Sequence, residues 1–152
     1  ESRMVRELAN NEAAYRSITQ SWFRHSGISE LFRALAEMNC RIILTTDHGS
    51  VRANNPIKVV GDKNTNTNLR YKLGKNLAYN TREVFEIKEP RKAGLPVPNI
   101  STTYIFAQNQ DFLAYPNNYN YYVQYYRDTF QHGGVSMEEM LVPLITLQGK
   151  KR

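Results

Sequence analysis

Three residues carry chemistry that a metal ion could use: Asp47, His48 and His132. Asp47 and His48 are adjacent, and Gly49 follows them. Neighbouring residues in a strand point to opposite faces. Where a strand ends and turns, with a glycine to permit the turn, both side chains can converge on one ion. A carboxylate oxygen and an imidazole nitrogen are both good zinc ligands. His132 precedes Gly133-Gly134, which lets the backbone bend sharply and a ligand come close. A helix start just beyond would offer N–H groups to an anion. A loop Asp beside an exposed His, and a turn with an incidental His, would give the same letters. The two motifs together are much more specific than either alone. Cys40 is the single cysteine and there are three histidines, so a metal site must use His and carboxylates.

The surrounding elements must position these residues. Met4 to about Phe23 reads as a helix, with Val5, Leu8, Ala9, Tyr15, Ile18 and Trp22 at roughly helical spacing. Trp22 and Phe23 are expected in the core, and His25 at the helix end. After His25-Ser26-Gly27, Ser29 is the expected N-cap of a second helix over about Glu30 to Met38. Leu31, Leu35 and Met38 share one face of it, and Asn39 is its stop. Arg41 to Thr46 is a continuous apolar, β-branched run, as in a strand buried on both faces. Asp47 then falls at the end of a strand, where open α/β sheets bind ligands. From 51 to 129 the character changes to short β-like runs separated by Asn, Gly and Pro. These are Ile57–Val60, Leu69–Leu73, Glu83–Ile87, Thr102–Ala107, Phe112–Tyr115 and Tyr121–Tyr125. Ser136 and Glu139 form a capping-box signature for a short helix. Pro143 stops it, and Pro143 to Leu147 reads as a last strand.

Thr45-Thr46-Asp47-His48-Gly49-Ser50 resembles the Ser/Thr-Asp-His-Gly metal motif of the alkaline phosphatase superfamily. His132-Gly-Gly-Val-Ser-Met-Glu-Glu-Met-Leu-Val-Pro143 resembles that superfamily's last His motif in the form seen in PglZ domains. The whole chain is similar to the effector domain of PorX-like response regulators, which are associated with type IX secretion. The resemblance implies an α/β fold: an alkaline-phosphatase-like sheet flanked by helices, with core segments 1–50 and 130–148 and a β-rich insertion at 51–129. It implies two zinc ions per complete domain, Asp47 and His48 belonging to one and His132 to the other. By the family pattern a Thr or Ser nucleophile and the remaining ligands lie upstream of Glu1. The chain then reads as the C-terminal part of the domain, inactive alone. Thr45, Thr46 and Ser50 do not occupy the nucleophile's position.

The implied activity is hydrolysis of phosphodiesters, such as oligonucleotides or cyclic nucleotides, under the control of a receiver domain. A regulatory module with a phosphatase-like fold and little catalysis is the alternative. Its partners would be a secretion-motor cytoplasmic domain or a sigma factor, and a homodimer is a further assembly to consider. A plain nucleic-acid-binding domain is a third reading.

Composition bounds these readings. The 152 residues carry a formal charge of +6, with 41% hydrophobic and 22% charged residues. That is the profile of a globular domain suited to anionic partners. No apolar run approaches the roughly 20 residues of a membrane span. A lone cysteine and no signal peptide fit a cytoplasmic protein without membrane insertion. Arg52, Arg70 and Lys72 are candidate grips on phosphate oxygens; a solvated basic hairpin is the plainer account of the latter two. The Tyr-rich stretch 117–126 suits a strand or an interface, and base stacking less so. Cys40 is expected to be small and buried, with nothing nearby to activate it.

Overall fold

In the computed structural model, the described residues are 9, 11–38, 40–62 and 65–149. They form a mixed α/β fold that divides into two compact units: residues 1–47 with 141–152, and residues 48–140.

The first unit contains two helices and two strands. Helix α1 spans Glu12–His25. It starts where the Asn11 side chain accepts a hydrogen bond from Ala14 N, a side-chain cap for an orphan N–H. Glu12 in its first turn, and Arg24 and His25 in its last, complement the helix dipole. The expected segment before it, from Met4, lies mostly outside the described residues, as does Asn39. Helix α2 spans Ile28–Glu37 and begins two residues earlier than expected. Gly27 is its N-cap, while the Ser29 hydroxyl donates instead to Phe23 O at 3.2 Å. Strand β1, Arg41–Thr45, pairs in antiparallel register with the last strand, Leu144–Gln148, from Arg41↔Gln148 to Thr45↔Leu144.

Ala9 is buried, but most of the burial expected in this unit is not found. Neither helix has a buried residue among those described. Phe23, Leu31 and Met38 are exposed, and Trp22 and Cys40 are half-buried. Strand β1 alternates exposed and half-buried residues, with Ile43 62% exposed. A two-stranded antiparallel ribbon covers only one edge of each strand, so an apolar sequence does not guarantee burial on both faces.

The second unit holds the packed core. Strands β3 (Asn55–Lys58), β4 (Tyr71–Gly74), β5 (Phe85–Ile87), β6 (Thr103–Phe106) and β7 (Asp111–Ala114) fall close to expected runs, whereas β2 (Val51–Ala53) and β8 (Thr129–Gln131) match none of them. They build small sheets rather than one large sheet: β2 with β8, β3 with β7, and β4-β6-β5. The β3–β7 pair is parallel and the others are antiparallel. Ile57, Val59, Val84, Ile105, Ala107 and Leu113 form one buried cluster. Ala53, Phe112, Ala114 and Val123 form another.

Tyr121–Tyr125, expected as a strand-like run, lies in helix α3, which spans Tyr119–Tyr126. Tyr119, Val123 and Tyr126 pack on the second cluster, and their i, i+4, i+7 spacing defines one helical face. Tyr121 stacks near Tyr125 and Tyr122 near Tyr126, each at i+4. The strand preference of tyrosine reflects a fit to half-buried surfaces, and the face that Val123 supplies overrides it.

Phe112→Ala is expected to remove about 3–5 kcal/mol of unfolding free energy by opening a cavity. Tyr121→Ala, at an exposed position, should change it by less than about 0.5 kcal/mol. Denaturant midpoints measured on both variants check the packing.

Candidate metal centre

The β2–β8 ladder brings the two histidines together. Its register pairs Val51 with Gln131. The chain therefore enters β2 from His48-Gly49-Ser50 at the same end where it leaves β8 into His132. The imidazoles of His48 and His132 lie stacked, with centroids 3.8 Å apart and planes inclined by 8°. His48 Nδ1 is 2.7 Å from Gly49 O. When Nδ1 carries the proton it donates to that carbonyl, and Nε2 is the nitrogen with the lone pair.

Two glycine segments make this approach feasible. Gly49 N donates to Glu139 O at 2.9 Å. A Cβ at Gly49 would lie 1.8 Å from the Glu138 carbonyl oxygen, so close backbone approach excludes any side chain there. At the Gly133-Gly134 turn, Gly133 has φ +108°, and a Cβ on Gly134 would meet Ala107 O and Arg70 Nη2 at 2.6 Å each.

Helix α4, Met137–Met140, follows the turn as the capping box implied. Glu139 Oε2 accepts from Ser136 N at 3.2 Å and from Ser136 Oγ at 2.7 Å. Its Oε1 accepts from Gly134 N at 2.9 Å. Two N–H groups just before the helix, those of Gly134 and Ser136, are thus held by the chain's own carboxylate.

Glu139 is also the partner of Arg70. Arg70 Nε donates to Oε1 at 2.9 Å and Nη2 to Oε2 at 2.5 Å. The remaining guanidinium donors meet the carbonyls of Ala107, Gln108, Asn109 and Asp111. Arg70 is 0% exposed. The site expected to grip a phosphate is instead built into the turn that carries His132, because a fully donated, buried guanidinium cannot reach a ligand. Burial alone would raise the Glu139 pKa. The hydrogen bonds from Arg70, Ser136 and Gly134, with the Arg70 charge, outweigh that and hold the carboxyl below its ordinary value of 4.5.

The other expected residues are placed differently. Asp47 is exposed, just beyond β1, and accepts from Thr46 Oγ1 at 3.4 Å. Arg52 is half-buried in β2 and pairs with Asp128 at 3.3 Å. Both partners of that pair are substantially solvated, so it holds Arg52 only weakly. Lys72 is 1% exposed: in place of the solvated hairpin expected there is a strand of half-buried residues with Lys72 buried among them. Lys72 Nζ donates to Asn66 O at 3.0 Å and lies 4.3 Å from the Tyr115 ring centroid. Burial without a counter-charge lowers its pKa to about 8. Among the described residues, no three His, Cys, Asp or Glu side chains gather closely enough to hold an ion by themselves, and no helix is long and apolar enough to cross a membrane.

Glu139 is the residue whose importance sequence reading missed. Its i+3 spacing from Ser136 signalled a cap, but nothing local signalled Arg70, 69 residues away.

The mixed α/β fold is compatible with an alkaline-phosphatase-like domain. Residues 1–147 match the family described as the BREX system PglZ alkaline phosphatase-like domain, and the chain belongs to that family. A comparison with individual curated proteins finds no match.

Glu139→Ala should cost about 3–5 kcal/mol, because it strands a buried guanidinium. The double change Arg70→Met with Glu139→Leu should cost less than that, since neither charge remains. Urea unfolding of the two variants measures the difference. The Glu139 contribution is fully present above pH 4.5, the ordinary value, and is lost as pH falls through the lower folded value. Lys72 works in the opposite sense. Its folded pKa of about 8 lies below the ordinary 10.5, so stability rises with pH between those values. Lys72→Met should abolish that alkaline rise.

Proposed function

We propose that this chain supplies part of the metal centre of a zinc-dependent phosphohydrolase acting on phosphodiesters, such as oligonucleotides or cyclic nucleotides. The stacked His48–His132 pair is the observation that carries the reading. An imidazole nitrogen presents its lone pair in the ring plane, so two stacked rings direct theirs into two parallel planes. That arrangement suits two neighbouring ions better than one shared ion. The 3.8 Å between ring centroids is of the same order as the roughly 3.5–4 Å separation in two-metal sites. The donor set, imidazole with carboxylate, is one that zinc favours.

On this reading Asp47 and His48 serve one ion and His132 serves the other. When bound, the two ions would stabilise the charge on the attacking and leaving oxygens in phosphoryl transfer. The chain's own residues hold that geometry. Gly49 O fixes the His48 tautomer, an outer-shell contact of the kind that orients metal-binding imidazoles. Glu139 and Arg70 hold the turn before His132 can drift. Arg52, held by an ion pair and a backbone hydrogen bond to Asp128, is the one expected phosphate grip that solvent reaches. The finer likeness, of the whole chain to the effector domains of PorX-like response regulators in type IX secretion, makes receiver-domain control part of the proposal.

The test is hydrolysis of bis(p-nitrophenyl) phosphate by the intact protein with added zinc. Asp47→Ala and His132→Ala should each lower turnover by about 100-fold or more, with unfolding midpoints close to wild type. Turnover that persists in both variants would rule the reading out. Arg52→Ala should raise KM more than it lowers kcat.

A further inference from the structure

The second unit contains a cleft of about 300 Å³ that the phosphoesterase reading does not use. Its lining includes Leu69, Lys72, Leu113, Tyr115, Tyr122 and Tyr126. The volume is at the small end for ligand sites, large enough for a single ring with a substituent. Tyr122 is 41% exposed and forms part of the rim, whereas Lys72 and Leu113 are fully buried.

Lys72 is the unusual member. Among the described residues, no carboxylate lies within salt-bridge distance of its ammonium. Its one hydrogen-bond acceptor is Asn66 O, which also accepts from the Tyr115 hydroxyl at 3.0 Å. Asn66 is itself fixed: its amide donates to Tyr71 O and accepts from Leu73 N. The ammonium is therefore held rigidly by a carbonyl and a ring face. An ammonium has three N–H donors, and a buried cation without an anion is costly. The walls are apolar and aromatic, which favours a flat hydrophobic body. A single cation offsets one negative charge. A phosphate dianion would keep a second negative charge that no other cation in the lining offsets, and a neutral base would leave the ammonium uncompensated.

We propose that this cleft binds a small planar aromatic carboxylate, its ring among the tyrosines and its carboxylate on Lys72 Nζ. The site is independent of the metal centre and does not rest on the hydrolase reading.

The experiment is an NMR titration of the full chain with benzoate, benzyl alcohol and adenosine, following the methyl groups of Leu69 and Leu113. Benzoate should shift both and bind about tenfold or more tightly than benzyl alcohol, as a charge-assisted hydrogen bond implies. In Lys72→Met that preference should vanish while benzyl alcohol binds as before. Tyr122→Ala, at the exposed rim, should weaken benzoate several-fold, and it tests the site even if Lys72→Met does not fold. Equal binding of benzoate and benzyl alcohol to the wild type would overturn the proposal. So would shifts confined to other methyl groups, adenosine binding more tightly than benzoate, or benzoate affinity unchanged in Tyr122→Ala.

Discussion

The buried Arg70–Glu139 pair is the constraint on which the candidate site depends. One guanidinium spends its donors on a carboxylate and four backbone carbonyls. The same carboxylate accepts from Gly134 N, Ser136 N and Ser136 Oγ. The pair thereby ties the 107–111 segment to the turn that carries His132. Desolvating two charges is expensive, and such pairs often contribute little net stability. Their effect here is one of position: with nearly every lone pair and N–H assigned, the turn has little freedom to adopt another path.

The histidines inherit that rigidity. His132 leaves β8 at the end where His48 approaches β2, and the Gly49 backbone bonds directly to the Glu139 carbonyl. Glu139 thus acts twice, through its side chain on the Gly133-Gly134 turn and through its main chain on the segment after His48. On the proposed two-ion reading, imidazoles fixed in advance would spare the entropy that flexing each ring into place would cost at binding. The close approach at Gly49 and Gly134 serves the same end, since a side chain at either would separate the segments.

Membership of the PglZ family places this arrangement in a phosphoesterase-type setting. The organisation around it is uneven. Residues 48–140 hold the buried apolar clusters, whereas the described helices of the other unit bury no residue. The best-packed part of the chain is the part that carries both histidines.

Much was legible in the sequence by itself. Asp47-His48-Gly49 and His132-Gly-Gly announced themselves through residue type, the capping box through its three-residue spacing, and most short strands through β-branched runs between turn residues. Those are local properties, set by chemistry within a few residues. Only the tertiary structure decided what depends on distant partners. The apolar run at 41–45 gained a single antiparallel neighbour instead of two covered faces. The tyrosines at 119–126 became a helix because Tyr119, Val123 and Tyr126 meet a core built by Ala53 and Phe112. Arg70 and Lys72, alternate residues that read as a solvated pair of cations, were both drawn inside. One was neutralised by a glutamate 69 positions away, and the other was left with a carbonyl and an aromatic ring. Charge and spacing are written in the chain, but which charges are buried, and against what, is fixed only when segments far apart in sequence exclude water together.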